Sequence, residues 1–179
     1  MSAVTLDAEY CRGLLPARDP EGHKFTFGRV VCVCGSLDYA GAAYLSALAA
    51  ARGGAGLVAM AIPASLRAAL AARLPEAILI GLPEFTEGEV KVDEALGAIT
   101  DREPDALVVG PGLRETDDYS ALVFKLISQA DLPMIIDAGA LNMLARTDDW
   151  WEHVAGRLVL TPHAGEFERL TGSPVGQGD

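Results

Sequence analysis

Short runs of Val, Ile and Leu alternate along this chain with longer stretches rich in Ala and Leu. The short runs predict six strands, at 29–34, 56–62, 77–82, 105–110, 132–137 and 157–161, and the longer stretches predict six helices, at 41–52, 64–74, 92–99, 117–130, 139–145 and 164–170. The strands lack a strict alternation of apolar and polar residues, which indicates burial on both faces, and strands that alternate with helices indicate a parallel sheet. We therefore predict an α/β fold, a three-layer sandwich with a mostly parallel central sheet.

A polar, turn-rich segment at residues 18–28, RDPEGHKFTFG, precedes the first predicted strand. We expect residues 1–22 to form a helical N-terminal arm rather than a separate domain. With 179 residues, half of them apolar, the chain has the size of one domain with a packed core. A single domain over 1–179 is the expectation.

The formal net charge is −11 at pH 7, and the sequence has no run of Lys or Arg. Nucleic acids and anionic membranes are bound by clustered cations, so we expect neither as a partner. Gly, Arg or Pro interrupts the apolar stretches before they reach membrane-spanning length, and the first ten residues, MSAVTLDAEY, lack the features of a secretory signal. We expect a cytoplasmic protein.

Cys32 and Cys34 form a C-x-C pair in the first predicted strand, which places both thiols on one face. Free cysteines are among the most buried residues, so we interpret the pair as reduced core residues rather than as a metal or redox site. With Cys11 the chain has three cysteines, too few for a disulfide framework.

The loops that follow the predicted strands carry the candidate chemistry, because ligands of an open parallel sheet bind at the carboxyl ends of its strands. Gly35 ends the first strand and Gly41 opens the next helix, which allows a phosphate or a planar ligand to approach the helix N-terminus. This loop matches neither the Walker A pattern nor G-x-G-x-x-G, and a turn that serves only tight packing remains the alternative. Gly-Pro-Gly at 110–112 likewise suits a rigid ligand wall or an ordinary turn.

Polar residues follow the last two predicted strands. Asp137 ends one strand and Asn142 lies in the next helix, and the carboxylate could bind a ligand, coordinate Mg²⁺ or accept hydrogen bonds from a neighbouring loop. In LTPHAGE, Pro162 keeps the residue before it extended and favours a helix start soon after. His163 at the strand end and Glu166 in the first helical turn can then point into the same crevice, and we interpret His163 as a ligand-binding residue.

Four stretches occur together in this order: HKFTFGRVVCVCGSLDYAGAAYLSALAAARGGAGLV, DALVVGPGL, MIIDAGALNML and LTPHAGEFERLTG. In combination and spacing they resemble the NAD(P)H-hydrate dehydratase family, a branch of the ribokinase-like superfamily, from about residue 23 to residue 172. The resemblance implies a ribokinase-like fold. It also implies an ADP- or ATP-dependent enzyme that removes water from hydrated NADH or NADPH and so repairs the damaged cofactor.

The resemblance implies roles for individual residues as well. Residues that contact the hydrated dinucleotide in the family correspond to Ala42, Gly112 and His163. The full candidate substrate-binding set is Tyr39, Gly41, Ala42, Gly112, Asp137, Asn142, His163 and Glu166. The expected chemistry is activation of the hydroxyl of the hydrated ring, by phosphorylation or otherwise, followed by its expulsion by the lone pair of the ring nitrogen. ADP or ATP is the expected cofactor, Mg²⁺ is a further candidate, and no residue is assigned to a metal site.

This sequence departs from the family pattern within the site. DAGALN has Gly139 where the family has a second Asp, and Arg114 replaces the Gly that often follows Gly-Pro-Gly-Leu. The family pattern also continues through a Lys-Gly strand to Gly-x-Gly-Asp at a helix mouth, which carries the nucleotide-phosphate site and the catalytic Asp. The terminal GQGD (176–179) does not match that motif, because no helix follows Asp179 to donate its backbone N–H groups.

From these departures we expect a C-terminally truncated domain that is inactive alone and whose catalytic Asp lies beyond Asp179. Apolar surface near residues 158–160 should be exposed, or covered by another copy in a homo-oligomer or by a complementary C-terminal segment. Two other interpretations stay open. The chain could belong to another ribokinase-like small-molecule kinase, although GSLDYAGAA and Gly-Pro-Gly-Leu favour the dehydratase, or it could be a non-catalytic nucleotide-binding or assembly module.

Overall fold

Residues 4–176 are described by a computed structural model, in which two sheets are present. The strands are β1 (Arg29–Val33), β2 (Leu57–Pro63), β3 (Ile78–Leu82), β4 (Glu84–Thr86), β5 (Glu89–Val90), β6 (Ala106–Val109), β7 (Met134–Ile136) and β8 (Leu158–Leu160). Six of them form a parallel sheet in the order β3-β2-β1-β6-β7-β8, and β4 and β5 form an antiparallel hairpin. All six predicted strands are confirmed. The sequence does not predict the hairpin, because its strands are only three and two residues long.

The helices are α1 (Ala8–Leu14), α2 (Ala40–Arg52), α3 (Arg67–Ala71), α4 (Val92–Thr100), α5 (Asp117–Gln129), α6 (Gly139–Leu144) and α7 (Ala164–Thr171). A 3₁₀ turn at Ala64–Leu66 precedes α3, and another lies at Trp150–His153. The predicted helix at 64–74 is therefore shorter than expected and begins as 3₁₀. α1 lies within the segment that was predicted to form an N-terminal arm, and it has no buried residue. Within residues 4–176, no helix has both the length and the apolar character needed to cross a membrane.

The helices cover both faces of the main sheet. α2 and α3 pack on one face, in a core that includes Cys32 and Met60. The helices from α4 to α6 pack on the other face, in a core that includes Val31, Tyr119 and Leu141. This arrangement confirms the three-layer sandwich, and successive β1 residues point into different cores because side chains alternate along a strand.

Two strands keep one face uncovered. Ile135 of β7 and Val159 of β8 are 43% and 58% exposed, and both point to the α2 side of the sheet. We name these two residues the apolar strip. Their neighbours Leu158 and Leu160 are half-buried against the core on the other face. The structure thus confirms the expectation that apolar surface is exposed at β8.

Candidate functional site

The strand order of the main sheet reverses at its centre. From β1 the chain moves outward through β2 to β3, and it then returns to the other side of β1 to form β6, β7 and β8. The loop after β1 leads to α2 on one face, and the loop after β6 leads to α5 on the opposite face. The two loops leave the sheet toward opposite faces, and we name the place between them, at the carboxyl ends of β1 and β6, the crevice. Open α/β sheets bind their ligands at such a position.

The predicted site residues lie along the edge of the sheet that holds the crevice. Gly35, Gly112, Asp137 and His163 follow β1, β6, β7 and β8 directly, so they lie at one edge of the sheet, as predicted. The remaining candidates lie on the helices that leave this edge: Tyr39, Gly41 and Ala42 at the start of α2, Asn142 in α6 and Glu166 in α7.

Gly112 brings the two walls of the crevice into contact. Its φ is +73°, and a Cβ added there would lie 2.6 Å from Ala42 Cβ and 3.0 Å from the carbonyl oxygen of Tyr39. The Tyr39 side chain is largely exposed at the same place, and Tyr39 O accepts a hydrogen bond from Ala42 N. A side chain at position 112 would therefore collide with the start of α2, at the point where the loop after β6 lies closest to that helix.

The neighbouring loops are joined by backbone contacts. Gly35 N donates to Pro111 O at 2.7 Å, and Gly110 N donates to Val33 O at 3.1 Å. A Cβ at Gly110 would lie 1.9 Å from Asp137 O, so the loop after β7 packs directly on the loop after β6. These contacts make the Gly-Pro-Gly turn a fixed wall, in agreement with the interpretation of that motif as rigid.

Asp137 uses one carboxylate oxygen to hold its own turn. Oδ1 accepts from Ala138 N at 2.9 Å, and Ala138 has the unfavourable backbone angles φ +50° and ψ −122°. A non-glycine residue in such a conformation costs about 1 to 3 kcal/mol and persists only when its surroundings impose it. This hydrogen bond lies within the turn itself and not with a neighbouring loop, and the predicted roles of the carboxylate in ligand or Mg²⁺ binding stay predictions.

Asn142 is bonded at both ends of its amide. Nδ2 donates to Glu115 Oε1 at 2.7 Å, and Oδ1 accepts from Arg169 Nε at 2.8 Å. Glu115 also pairs with Arg146. Asn142 thus ties the loop after β6 to α7, and the sequence does not reveal this because each partner lies 27 residues away.

His163 and Glu166 form a capping box at the start of α7. His163 Nδ1 accepts from Gly165 N at 3.0 Å, and Glu166 Oε2 accepts from His163 N at 2.9 Å. Because Nδ1 is an acceptor, the neutral imidazole carries its proton on Nε2. The His163 side chain is 67% exposed, whereas that of Glu166 is 7% exposed and its Oε1 lies 3.4 Å from His163 Nε2. No hydrogen bond joins Nε2 to another of the described residues, so the exposed Nε2–H can donate to a ligand, while Glu166 holds the helix start through His163 N.

Three buried hydroxyl groups at this edge lack a hydrogen-bond partner within residues 4–176. They belong to Ser36 in the loop after β1, and to Thr116 and Tyr119 at the start of α5. A buried hydroxyl without a partner is costly, so such a group marks a place where water or a ligand atom is expected. Burial raises the pKa of Tyr119, and Asp118 and Glu84 raise it further. The sequence predicts none of these three residues, because burial of a single hydroxyl leaves no pattern.

The C-x-C pair lies inside the core on the α2 side. Cys32 and Cys34 are both free and buried, as predicted. Burial raises the pKa of Cys32 from 9.0 to about 12 and that of Cys34 further still. In the described part of the chain, no group of three His, Cys, Asp or Glu side chains has an arrangement that could hold a metal ion.

Comparison with known proteins gives a consistent result. A family model described as NAD(P)H-hydrate dehydratase matches residues 30–179. A bifunctional NAD(P)H-hydrate repair enzyme of Moorella thermoacetica is 41% identical over 170 residues, which are 94% of this chain and 32% of that protein.

Two solved structures are similar as well. The ADP/ATP-dependent NAD(P)H-hydrate dehydratase of Bacillus subtilis, co-crystallized with ATP/Mg²⁺, is 35% identical with a TM-score of 0.73 and matches 93% of this chain and 55% of its own. A ribokinase-like superfamily protein of Enterococcus faecalis is 26% identical with a TM-score of 0.73 and matches 91% of this chain and 55% of its own. The chain thus spans about a third of the bifunctional relative and about half of the two solved chains.

Proposed function

The chain belongs to the NAD(P)H-hydrate dehydratase family, and on that basis we propose that its crevice binds hydrated NADH or NADPH for ADP- or ATP-dependent dehydration. The observation that carries the proposal is the contact between Gly112 and Ala42 at the strand-order reversal, with His163 at the same sheet edge. Two walls of bare backbone and small side chains allow a flat dinucleotide to approach closely.

The residues present divide into those that face a ligand and those that hold the site. Tyr39 presents an exposed aromatic ring at the edge of the crevice, and His163 presents an Nε2–H donor. Gly41 and Ala42 present the first turn of α2, whose positive dipole end suits the charge of a phosphate. Asp137, Asn142 and Glu166 support the site indirectly, because each already makes hydrogen bonds within the protein. Asp137 Oδ1 bonds to its own turn, the Asn142 amide to Glu115 and Arg169, and Glu166 Oε2 to the start of α7.

Dehydration requires that the ring hydroxyl be activated, and ADP or ATP is the proposed source of that activation. Within residues 4–176, no three His, Cys, Asp or Glu side chains are grouped so that they could hold a metal ion, and Asp137 Oδ1 already accepts a hydrogen bond. We therefore assign no step to a metal in this part of the protein. The described residues bind and orient the substrate, and we assign the role of general base to none of them.

A binding experiment with a cap-preserving variant tests the proposal. We expect residues 1–179 to bind NADPH hydrate in calorimetry and His163→Asn to weaken that binding roughly tenfold, the effect of one hydrogen bond to a charged or strongly polar ligand. Asn is a good N-cap, so α7 should be retained. His153→Asn is the matched control, since that histidine packs against Phe124 away from the crevice. Absence of binding by the unmodified chain would contradict the proposal.

Turnover provides a second test. Recovery of the reduced-nicotinamide absorbance from the hydrate, with ADP or ATP present, should be absent for residues 1–179. It should appear when the chain is joined to the part of a relative that it does not cover, because one acid/base group alone contributes about 10² to 10⁴ in rate. Robust turnover by residues 1–179 would instead place a catalytic group among the residues described above.

A further inference from the structure

The β4–β5 hairpin reaches the rim of the crevice. Gly88 at its turn lies so close to the rim that an added Cβ would be 3.2 Å from Arg114 Nη1 and 3.5 Å from Leu37 Cδ1. Leu37 belongs to the loop after β1 and Arg114 to the loop after β6. The hairpin tip therefore contacts both loops that border the crevice, and the Arg114 guanidinium lies where all three segments meet.

Two carboxylates hold the hairpin in this place. Glu84 accepts hydrogen bonds from Ser65 N at 2.9 Å and from Gly88 N, and Asp118 accepts from Val90 N at 2.7 Å. Both carboxylates are thus engaged with backbone N–H groups. Neither carboxylate lies within ion-pair distance of Arg114. Glu84, Asp118 and Arg114 are nevertheless all close enough to Tyr119 to shift its pKa.

Arg114 differs from the other arginines at this edge of the sheet. Arg146 pairs with Glu115, and Arg169 donates to Asn142, whereas Arg114 is exposed and makes no ion pair or hydrogen bond with another residue of 4–176. Acidic groups outnumber basic ones by 25 to 14 in this chain. Despite this excess of acidic groups, the Arg114 guanidinium has no partner among residues 4–176, so at the crevice rim it remains available for an external anion.

We propose that Arg114 binds a phosphate group of the nucleotide ligand in the crevice, an inference that rests on the proposed function. Its guanidinium presents a planar fork of N–H donors that matches two oxygens of one phosphate. Arg114 is two residues from Gly112, so its side chain extends from the wall that a dinucleotide would contact. The phosphate belongs to the pyrophosphate of the dinucleotide, to the 2′-phosphate of the NADPH form, or to ADP.

The test measures the affinity of residues 1–179 for NADH, NADPH and ADP separately, for the unmodified chain, Arg114→Ala and Arg114→Lys. We expect Arg114→Ala to weaken binding roughly tenfold and Arg114→Lys to weaken it less, because Lys keeps the charge but loses the fork. The loss should shrink at high salt. Arg157→Ala is the matched control, since it removes the same charge from an exposed arginine at the opposite end of β8.

The three ligands identify the phosphate. Equal losses for NADH and NADPH indicate the pyrophosphate, a loss for NADPH alone indicates the 2′-phosphate, and a loss for ADP alone indicates the co-substrate. Unchanged affinity of Arg114→Ala for all three, or an equal loss in Arg157→Ala, overturns the inference, while the His163→Asn result still decides the proposed function. If the unmodified chain binds none of the three and no hydrate, both proposals fail.

Discussion

At the scale of single residues, Gly112 is the most sensitive position of the crevice. Gly112→Ala should lower the free energy of unfolding by about 2 kcal/mol or more, because the new methyl would crowd Ala42 and because a positive φ is unfavourable for Ala. The same change should weaken dinucleotide binding. Urea unfolding and calorimetry measure the two effects.

Gly41→Ala is the informative control for that variant. No atom lies within 4 Å of an added Cβ at Gly41, and the residue lies in the first turn of α2. The substitution should stabilise the chain by about 0.5 kcal/mol. A loss of ligand affinity without a loss of stability would support the predicted role of Gly41 in binding, and equal stability losses at both positions would contradict the structural reasoning.

The core thiols give a prediction for alkaline pH. The pKa of Cys32 rises from 9.0 to about 12 on folding, so the unfolded chain loses this proton first as the pH increases. The free energy of unfolding should therefore fall between pH 9 and pH 12. Cys32→Ala should make that fall less steep, whereas Cys11→Ala, at an exposed thiol, should leave the slope unchanged. Identical slopes for the two variants in urea titrations would show that Cys32 is not buried as described.

The placement of candidate residues at one edge of the sheet was predictable from sequence where a residue closely follows a strand, whereas their roles in binding stay predictions. Gly112 and His163 are placed by chain direction alone, since carboxyl ends of parallel strands share one edge. The hydrogen bonds of Asn142 and the burial of the Ser36 and Tyr119 hydroxyls were not predictable, because the surroundings of these side chains come from segments distant in sequence. Whether these side chains have hydrogen-bond partners depends on tertiary packing, which a local sequence pattern does not predict.

At the scale of elements, the start of α7 depends on the capping box. Glu166→Ala should destabilise the chain by about 1 kcal/mol, because it removes the acceptor for His163 N and leaves a partly buried N–H without a partner. Glu166→Gln keeps an acceptor oxygen and should recover most of the loss. Thermal unfolding monitors both variants, and equal destabilisation by Ala and Gln would mean that the charge of Glu166, rather than the hydrogen bond, holds the helix.

The elements themselves were largely predictable. The strands are runs of β-branched residues next to Gly or Pro, and each predicted helix is found at its place. The β4–β5 hairpin was missed, and so was the 3₁₀ turn before α3. Both are short, and the hairpin is held by Glu84 and Asp118 through contacts outside its own strands.

At the scale of the whole molecule, the apolar strip is an exposed surface with a measurable property. The chain should bind a hydrophobic dye such as ANS, and it should associate at high concentration, because adjacent apolar side chains are exposed on β7 and β8. Ile135→Thr with Val159→Thr should reduce both signals while the melting temperature changes little. If the double substitution changes neither the dye fluorescence nor the elution volume, the apolar strip is not a surface that binds dye or promotes association. The expected homo-oligomer stays a prediction until that measurement.

The position of β1 in the sheet also bears on how the chain folds during synthesis. Val30 pairs with Val58 on one side and with Ala106 on the other, so β1 acquires its second neighbour only after the ribosome has made the long segment between them. Until then one side of the central strand presents unpaired N–H and C=O groups, the kind of edge that recruits other nascent chains. During synthesis this edge of β1 therefore stays open for an interval set by the number of residues between β1 and β6.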